Sequence, residues 1–275
     1  MLYLVATPIG NLEDITYRAL RILNEVDIIA CEDTRNTQKL LSHFEIKNKK
    51  LISYHEHNEE NSSNKLLEYL HDGLDVALVS DAGLPCISDP GYILVKKCRQ
   101  QNIKVIALPG ANAGLTALIS SGIESYNYSF YGFLPRKKSE LELRLKSILE
   151  QNTTSIIYES PHRIRNVVEV LSELESQRII SIARELTKMY EQIETDSVEN
   201  ILLKFDAEQI KLKGEFVLII SPSQIVEEKI SNEKLLLEVV SLVETGMKNS
   251  EAIKTVAKKY NISKREVYNL YHEKY

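Results

Sequence analysis

Two Ser-Asp pairs, Ser80-Asp81 and Ser88-Asp89, lie in a twelve-residue loop, S-D-A-G-L-P-C-I-S-D-P-G, that also holds two glycines and two prolines. Glycine permits backbone conformations that strain other residues, and proline fixes the backbone angle φ. Four apolar residues, 76–79, lead into the loop, a pattern typical of a buried parallel strand that ends at a ligand site. An ordinary strand-to-helix connection is the alternative, but it needs only about two to six residues. We therefore interpret residues 80–91 as part of a ligand site.

Similar loops follow other short apolar segments, and several carry charged side chains. The loops that end predicted strands are residues 7–12, 31–35, 80–91, 109–114, 158–163 and 184–188. With right-handed crossovers, the first four open on the same edge of one sheet. We expect that edge to be the active face of the first half of the chain.

The order of predicted strands and helices indicates an α/β fold with two α/β domains and a small C-terminal helical domain. The amino-acid composition changes at the aromatic segment Y-N-Y-S-F-Y-G-F, which begins at Tyr126 and is followed by basic residues. The predicted domains are residues 1–113, 114–224 and 225–275. The polar stretch 55–64, H-E-H-N-E-E-N-S-S-N, is predicted to be a loop.

The last segment of the chain is predicted to form three helices, at residues 234–244, 251–260 and 264–271. A tight turn at Asn261 and a helix-capping Ser263 between the second and third predict a helix-turn-helix. A helical pack that docks on the body of the protein or on a dimer partner is the alternative, since such motifs occur without nucleic-acid binding.

Composition narrows the class of protein. The chain has 275 residues, 43% of them apolar, and a net charge of -5, which predict a folded protein and argue against nonspecific nucleic-acid binding by the whole surface. It contains neither a run of eighteen apolar residues nor an N-terminal signal pattern, so we expect a cytoplasmic protein without a membrane span. Three cysteines without CxxC spacing favour a reducing compartment and predict neither disulfide nor zinc site.

Several catalytic motifs are absent from the sequence. It has no phosphate-binding G-x-x-x-x-G-K-[ST], no G-x-G-x-x-G after a strand and no H-E-x-x-H. His55-Glu56-His57 lacks a third ligand, so a polar loop is favoured and no metal is predicted. Ser160-Pro161-His162 lacks the G-x-S-x-G of a hydrolase nucleophile.

The loops as a set, in order, resemble the tetrapyrrole methylase superfamily. The segments that carry this resemblance are P-I-G-N-L, C-E-D-T-R, S-D-A-G-L-P-C-I-S-D-P-G, L-P-G-A-N-A, F-Y-G-F-L-P-R-K, Y-E-S-P-H-R-I and R-E-L-T-K. They are most similar to the branch that 2'-O-methylates a cytidine in the decoding region of 16S rRNA. Relatives that modify tetrapyrroles begin with G-x-G-P-G-D, whereas this chain has A-T-P-I-G-N at residues 6–11, which favours the ribosomal branch.

The resemblance implies a homodimeric enzyme that holds S-adenosylmethionine in a cleft between its two α/β domains. Glycine allows close backbone approach, apolar side chains suit the adenine and methionine stem, and carboxylates suit a sulfonium. The implied cofactor-binding residues are Ile9, Gly10, Asp81, Ala82, Gly83, Leu84, Ile87, Asn112, Ala113, Tyr158 and Leu186.

Methyl transfer to a ribose hydroxyl needs in-line positioning and a base that accepts the hydroxyl proton. The candidates at strand ends are Glu32, Asp33, Glu159, Glu185 and Lys188. For each, the alternative is a helix cap or an ion pair, and the sequence does not select among them. The candidates for RNA phosphates are Arg35, Arg136, Lys137, His162, Arg163 and Arg184.

Two other functions stay open at this point. One is methylation of a small molecule such as a corrin precursor, or of a protein side chain. The other is a non-catalytic ribosome-binding or regulatory module that uses the cleft as a metabolite sensor. The aromatic and basic stretch 126–138 favours RNA, because stacking and phosphate groups suit single strands. The acidic balance favours 16S rRNA assembled in the 30S subunit over naked rRNA.

Overall fold

The computed structural model describes residues 1–223, 232–260 and 262–274. Residues 1–223 form one compact unit, and residues 224–275 fall in a second. The predicted boundary between 224 and 225 and the predicted turn at Asn261 lie outside the described residues. The predicted division of the larger unit at residue 113 stays a prediction.

A five-stranded parallel sheet forms the first half of the larger unit. Its strands are β1 (Leu2–Val5), β2 (Ile28–Cys31), β3 (Lys50–Ser53), β4 (Val76–Val79) and β5 (Val105–Ala107). They lie in the order β3-β2-β4-β1-β5, and every neighbouring pair is parallel. The loops after β1, β2, β4 and β5 therefore open on one edge, as the sequence predicts.

Four helices cover the two faces of this sheet. They are α1 (Tyr17–Glu25), α2 (Thr34–His43), α3 (Glu59–His71) and α4 (Tyr92–Gln100). Apolar residues of α1 and α2 pack on one face, and those of α3 and α4 pack on the other. Apolar side chains on both faces explain why the strands are continuous hydrophobic runs.

The prediction of a loop over residues 55–64 is wrong in its second half, because α3 begins at Glu59. This polar segment contains the start of a helix. Two glutamates occupy the first turn, where their negative charges interact favourably with the positive end of the helix dipole. Ser63 is fully buried and shares a hydrogen bond with the Tyr54 hydroxyl. The polar side chains thus satisfy partners that the sequence pattern does not reveal.

A second, mixed sheet forms the rest of the larger unit. Its strands are β6 (Tyr128–Phe133), β7 (Thr154–Glu159), β8 (Ile179–Arg184), β9 (Gln192–Ser197) and β10 (Phe216–Ile220). They lie in the order β6-β7-β10-β8-β9; β6 and β7 are parallel, and the other pairs are antiparallel. The helices of this half are α5 (Ala113–Ser120), α6 (Lys138–Leu149), α7 (Ile164–Glu175) and α8 (Val198–Asp206). Helix α5 packs on one face, and the other three pack on the opposite face.

The smaller unit contains α9 (Asn232–Glu244), α10 (Asn249–Lys259) and α11 (Lys264–Lys274). Their apolar residues form a separate core that includes Val239, Ile253, Val256 and Val267. The Ser263 hydroxyl accepts a hydrogen bond from the Glu266 amide at 3.2 Å, in agreement with the predicted cap. Among the described helices of both units, none is long and apolar enough to cross a bilayer.

Candidate functional site

A cavity of about 360 Å³ lies within the larger unit, where loops of the first sheet face β7 and β10. Eight of the eleven residues predicted for the cofactor line it, and they are Ile9, Ala82, Gly83, Leu84, Ile87, Asn112, Ala113 and Tyr158. The rest of the lining comes from residues 88–89, Phe133, residues 159–161 and residues 214–217. The volume lies within the range usual for small-molecule sites.

Two loops are joined edge to edge to form one wall of this cavity. Backbone groups of Thr7 and Gly83 exchange two hydrogen bonds, of 2.9 and 3.0 Å. The buried Thr7 hydroxyl donates a hydrogen bond to the Ser80 carbonyl at 3.1 Å. The buried Ser80 hydroxyl donates one to the Gly83 carbonyl at 3.0 Å. Gly83 has φ of +81°, a conformation that costs a residue with a side chain about 1–2 kcal/mol.

The loop that leads from Gly83 into α4 is held from outside by Glu59. Its carboxylate accepts hydrogen bonds from the Gly91 and Ile93 amides, at 2.8 and 3.3 Å, and from the Tyr54 hydroxyl at 3.1 Å. Gly91 has no side chain with which to cap α4, so a residue of α3 provides the cap. The loop between has positive φ at Cys86 and Ser88, a conformation that is uncommon for residues other than glycine.

Asp89, in this loop, lines the cavity. It belongs to the ligand-site loop 80–91 predicted from the sequence but is not among the residues assigned there to the cofactor. Burial, and then the negative charges of Glu32 and Asp81, raises its pKa to about 7. The only sequence signal is its place in the second Ser-Asp pair. A cavity with an acidic group of this kind favours a ligand that carries positive charge.

Tyr158 forms the opposite wall with aromatic residues of β6. Its ring lies 5.0 Å from that of Phe130 and 6.0 Å from that of Phe133, measured between centroids. Its hydroxyl accepts a hydrogen bond from the Gly114 amide at 3.1 Å. Asn112 caps the same helix, α5, by accepting a hydrogen bond from the Leu115 amide at 2.8 Å. The first turn of α5 thus borders the cavity.

Glu159 is the one of the five catalytic candidates that lines this cavity. It is buried, and its Oε1 accepts a hydrogen bond from the Ser160 amide at 2.8 Å. Its Oε2 has no hydrogen-bond partner within the described chain; Nη2 of Arg163 lies 3.5 Å away. A buried carboxylate oxygen of this kind can accept a hydrogen bond from a bound molecule.

The other four catalytic candidates do not line this cavity, and Asp33, Glu185 and Lys188 have partners elsewhere. Asp33 caps α2 and binds the Arg35 guanidinium, which lowers its pKa to about 2. Burial and the Asp81 charge raise the pKa of Glu32. Nζ of Lys188 lies 2.8 Å from Glu185 Oε1, and the hydrogen bond lowers the pKa of Glu185.

Lys188 lies against Gly10, one of the predicted cofactor residues that do not line the cavity. Its pKa is raised although burial opposes its charge, because Glu185 and Glu215 both accept hydrogen bonds from its ammonium. A Cβ on Gly10 would lie 2.5 Å from Cγ of Lys188. The structure therefore puts Gly10 against a lysine stem.

Asp81 and Leu186 are the other two predicted cofactor residues outside the cavity lining. Asp81 accepts hydrogen bonds from the Asp33 amide and the Asn36 side chain, at 3.2 and 2.9 Å. With Gly10 it lines a different cavity, of about 380 Å³, beside α2. Leu186 is buried in the core under the second sheet.

The six residues predicted to bind RNA fall into two groups. Arg163 donates hydrogen bonds to the Leu134 and Pro135 carbonyls, at 3.2 and 2.7 Å. Arg184 is buried and donates hydrogen bonds to two further backbone carbonyls. The other four are exposed; they are Arg35, Arg136, Lys137 and His162. Within residues 1–223 and the described part of the smaller unit, no cluster of three or more His, Cys, Asp or Glu side chains is arranged to hold a metal.

Comparisons with known proteins agree with the resemblance predicted from the sequence. Residues 1–202 match the family described as Tetrapyrrole (Corrin/Porphyrin) Methylases. The chain is 46% identical to ribosomal RNA small subunit methyltransferase I of Halalkalibacterium halodurans, over 99% of this chain and 94% of that protein. It is 44% identical to the protein of that name from Bacillus subtilis, over 100% of this chain and 94% of the relative.

Solved structures resemble the chain at much lower identity. A diphthine synthase matches with a TM-score of 0.62 and 14% identity, over 80% of this chain and 89% of that one. The methyltransferase CobJ matches with a TM-score of 0.59 and 19% identity, over 80% and 93% of the two chains. These likenesses show a common fold.

Proposed function

Because the chain belongs to the tetrapyrrole (corrin/porphyrin) methylase family, we propose that it transfers a methyl group from S-adenosylmethionine to the 2'-hydroxyl of a cytidine in 16S rRNA. The observation that carries this proposal is the near full-length identity of 46% to a ribosomal RNA small subunit methyltransferase I. The A-T-P-I-G-N loop at residues 6–11 supports the same branch.

The cavity beside Gly83 suits the proposed cofactor. S-adenosylmethionine supplies a methyl group on a positively charged sulfur. Apolar side chains such as Ile9, Leu84 and Ile87 suit its uncharged parts, and Gly83 leaves room beside its backbone. Asp89, when ionised, supplies the negative charge that a sulfonium favours. The first turn of α5, capped by Asn112, suits a carboxylate, since helix N-termini attract anions.

Methyl transfer forms an O–C bond at the acceptor, breaks a C–S bond and releases the hydroxyl proton. Positioning of the acceptor in line with the methyl group supplies much of the rate. Of the five candidates for the base, Glu159 has the best position, because it lines the cavity and its buried Oε2 accepts no hydrogen bond within the described residues, with Nη2 of Arg163 3.5 Å away. The low pKa of Asp33 and the ion pair of Glu185 with Lys188 make these groups weak bases.

The exposed cations near β6 suit the RNA strand. Arg136 and Lys137 follow the strand whose aromatic residues reach the cavity wall, and Phe133 is 61% exposed. Stacking on an aromatic ring and contacts to phosphates are the usual means of holding single-stranded RNA. Arg163 and Arg184 are less suitable, since backbone carbonyls already engage their guanidinium groups.

A direct assay tests the proposed reaction. The protein is incubated with labelled S-adenosylmethionine and 30S subunits that lack the modification, and the rRNA is digested for mass spectrometry. We expect label on the ribose of one cytidine in the decoding region, with less on naked 16S rRNA. Label on a base, or label only on a tetrapyrrole or protein substrate, would contradict the proposal. A ribosomal substrate would also put the enzyme in the cytoplasm.

We further propose that two copies of the chain associate. Leu115 and Ile119, one helical turn apart on α5, are 40% and 78% exposed within one chain, and burial of such apolar groups favours association. Light scattering after size-exclusion chromatography should give twice the chain mass of 31.4 kDa. A mass of one chain would contradict this.

A further inference from the structure

Helix α11 has cationic and aromatic side chains on its exposed surface. Apart from Glu266, its exposed residues are Lys264, Arg265, Tyr268, Asn269 and His272. At about 100° per residue in an α-helix, these five fall within an arc of about 140°. Val267 and Tyr271, which lie outside this arc, are buried in the three-helix core. These two residues thus hold α11 in the smaller unit, while the five residues of the arc, the outward face of α11, are exposed.

Each residue type on this face suits nucleic acid. Within the described residues, neither Lys264 nor Arg265 has an ion pair that would neutralise it. The rings of Tyr268 and His272 lie 4.2 Å apart, measured between centroids, and Tyr268 is 49% exposed. Cationic groups bind phosphates, and exposed rings stack on bases.

The neighbouring helix also has exposed cations, since Lys254 and Lys258, four residues apart on α10, are both exposed. Glu266 is exposed as well and lies about 60° beyond Asn269 around α11, outside the arc of the five residues. Helix α10, its connection and α11 have the order of a helix-turn-helix, in which the second helix carries the contacts. A local cationic face is what a protein of net charge -5 needs in order to approach a polyanion.

We propose that the outward face of α11 binds ribosomal RNA of the substrate particle, at nucleotides other than the one that is methylated. The inference rests on the proposed function for the identity of the particle. The face of α11 supplies affinity for the particle, while the cavity of the larger unit supplies the chemistry.

The test uses two single substitutions in the full-length protein, Arg265→Gln and Tyr268→Ser. Binding to 30S subunits is measured by equilibrium sedimentation at several salt concentrations, and methylation kinetics are measured in parallel. We expect each variant to bind about five-fold more weakly, and KM for 30S to rise with kcat and S-adenosylmethionine affinity unchanged. For Arg265→Gln, the slope of log affinity against log salt should decrease by about 1, the value for one lost phosphate contact.

Lys248→Gln is the matched control, because it removes one positive charge at the other end of α10. The eleven residues of α10 span about 16 Å at 1.5 Å per residue. We expect this control to behave as the wild type. Both target side chains are exposed, so circular dichroism should show an unchanged fold.

The outcomes separate the inference from the proposed function. Wild-type affinity and salt slope in both variants, or equal losses in Lys248→Gln, would overturn the inference. Loss of affinity for duplex DNA with unchanged 30S binding would also overturn it, since the partner would be DNA. Wild-type protein that binds 30S through this face but methylates no rRNA would overturn the proposed function alone.

Discussion

Protonation of Asp89 should control the affinity for S-adenosylmethionine near neutral pH. Asp89 lines the cavity, and burial together with the charges of Glu32 and Asp81 raises its pKa to about 7. A positively charged sulfur favours the ionised carboxylate. Affinity should therefore increase as pH rises, and Asp89→Asn should remove this dependence and weaken binding at pH 8.

The size of the effect follows from the ionised fraction. With a pKa of about 7, the carboxylate is ionised in roughly one molecule in ten at pH 6 and nine in ten at pH 8. If only that form binds, the apparent dissociation constant increases about ten-fold from pH 8 to pH 6, since affinity scales with the competent fraction. Isothermal titration calorimetry at pH 6, 7 and 8 measures this ratio.

The same group affects folding in the absence of ligand. The folded pKa is raised above the ordinary value of 3.8, so the folded state binds more protons between these values. Stability should therefore decrease as pH rises from about 4 to about 7. Asp72→Asn, which changes an exposed carboxylate beyond α3, is the control. It should keep the pH dependence of S-adenosylmethionine affinity and that of stability.

If Asp89→Asn retains the ten-fold pH effect on affinity, the assignment of this effect to Asp89 is refuted.

Three further substitutions test the parts of the site. Gly83→Val should lower S-adenosylmethionine affinity by more than about ten-fold in calorimetry, because the side chain enters the cavity wall at a positive φ. Glu59→Ala should lower the free energy of unfolding by about 2–3 kcal/mol in urea titrations, because the Gly91 and α4 amides lose a charged acceptor. Arg136→Gln combined with Lys137→Gln should slow rRNA methylation at low substrate about ten-fold without affecting cofactor affinity.

The first two of these substitutions have a control of matched chemistry. Gly73 has φ of +85° and open space around its Cβ direction, so Gly73→Val has similar backbone strain and should keep wild-type affinity. Glu60→Ala removes only an exposed partner of Lys97 and should cost under about 1 kcal/mol. Equal effects of target and control would contradict the first two predictions. Equal losses of cofactor binding and methylation in the Arg136 and Lys137 variant would contradict the third.

The central strands were predictable because they are buried on both faces. The residues of β1, β2 and β4 are almost wholly buried. Each strand is therefore an uninterrupted apolar segment followed by polar residues. Strand β9, Q-I-E-T-D-S, was not predicted, and neither was β6. Both are edge strands with much exposed surface, so their composition carries little of the strand pattern.

The acid–base properties of the site were less predictable than its location. The Ser-Asp pairs mark residues 80–91 as a site, but they do not distinguish Asp81 from Asp89. In the fold, Asp81 accepts hydrogen bonds from the Asp33 amide and the Asn36 side chain at the start of α2. The pKa of Asp89, in contrast, is raised by burial and by the charges of Glu32 and Asp81, and Glu32 is 57 residues away in the chain. No local pattern carries information about such neighbours. A pKa shift of this origin can be inferred only from the folded structure.

The backbone bridge between Thr7 and Gly83 joins two loops that border two different cavities. Ile9, Ala82 and Gly83 line the cavity that faces β7 and β10. Thr7, Gly10 and Asp81 line the other cavity, beside α2. Similarity to a family identifies both loops, but it does not show which residue of each loop borders which cavity. That assignment follows only from the folded structure, in which Gly10 lies against the stem of Lys188.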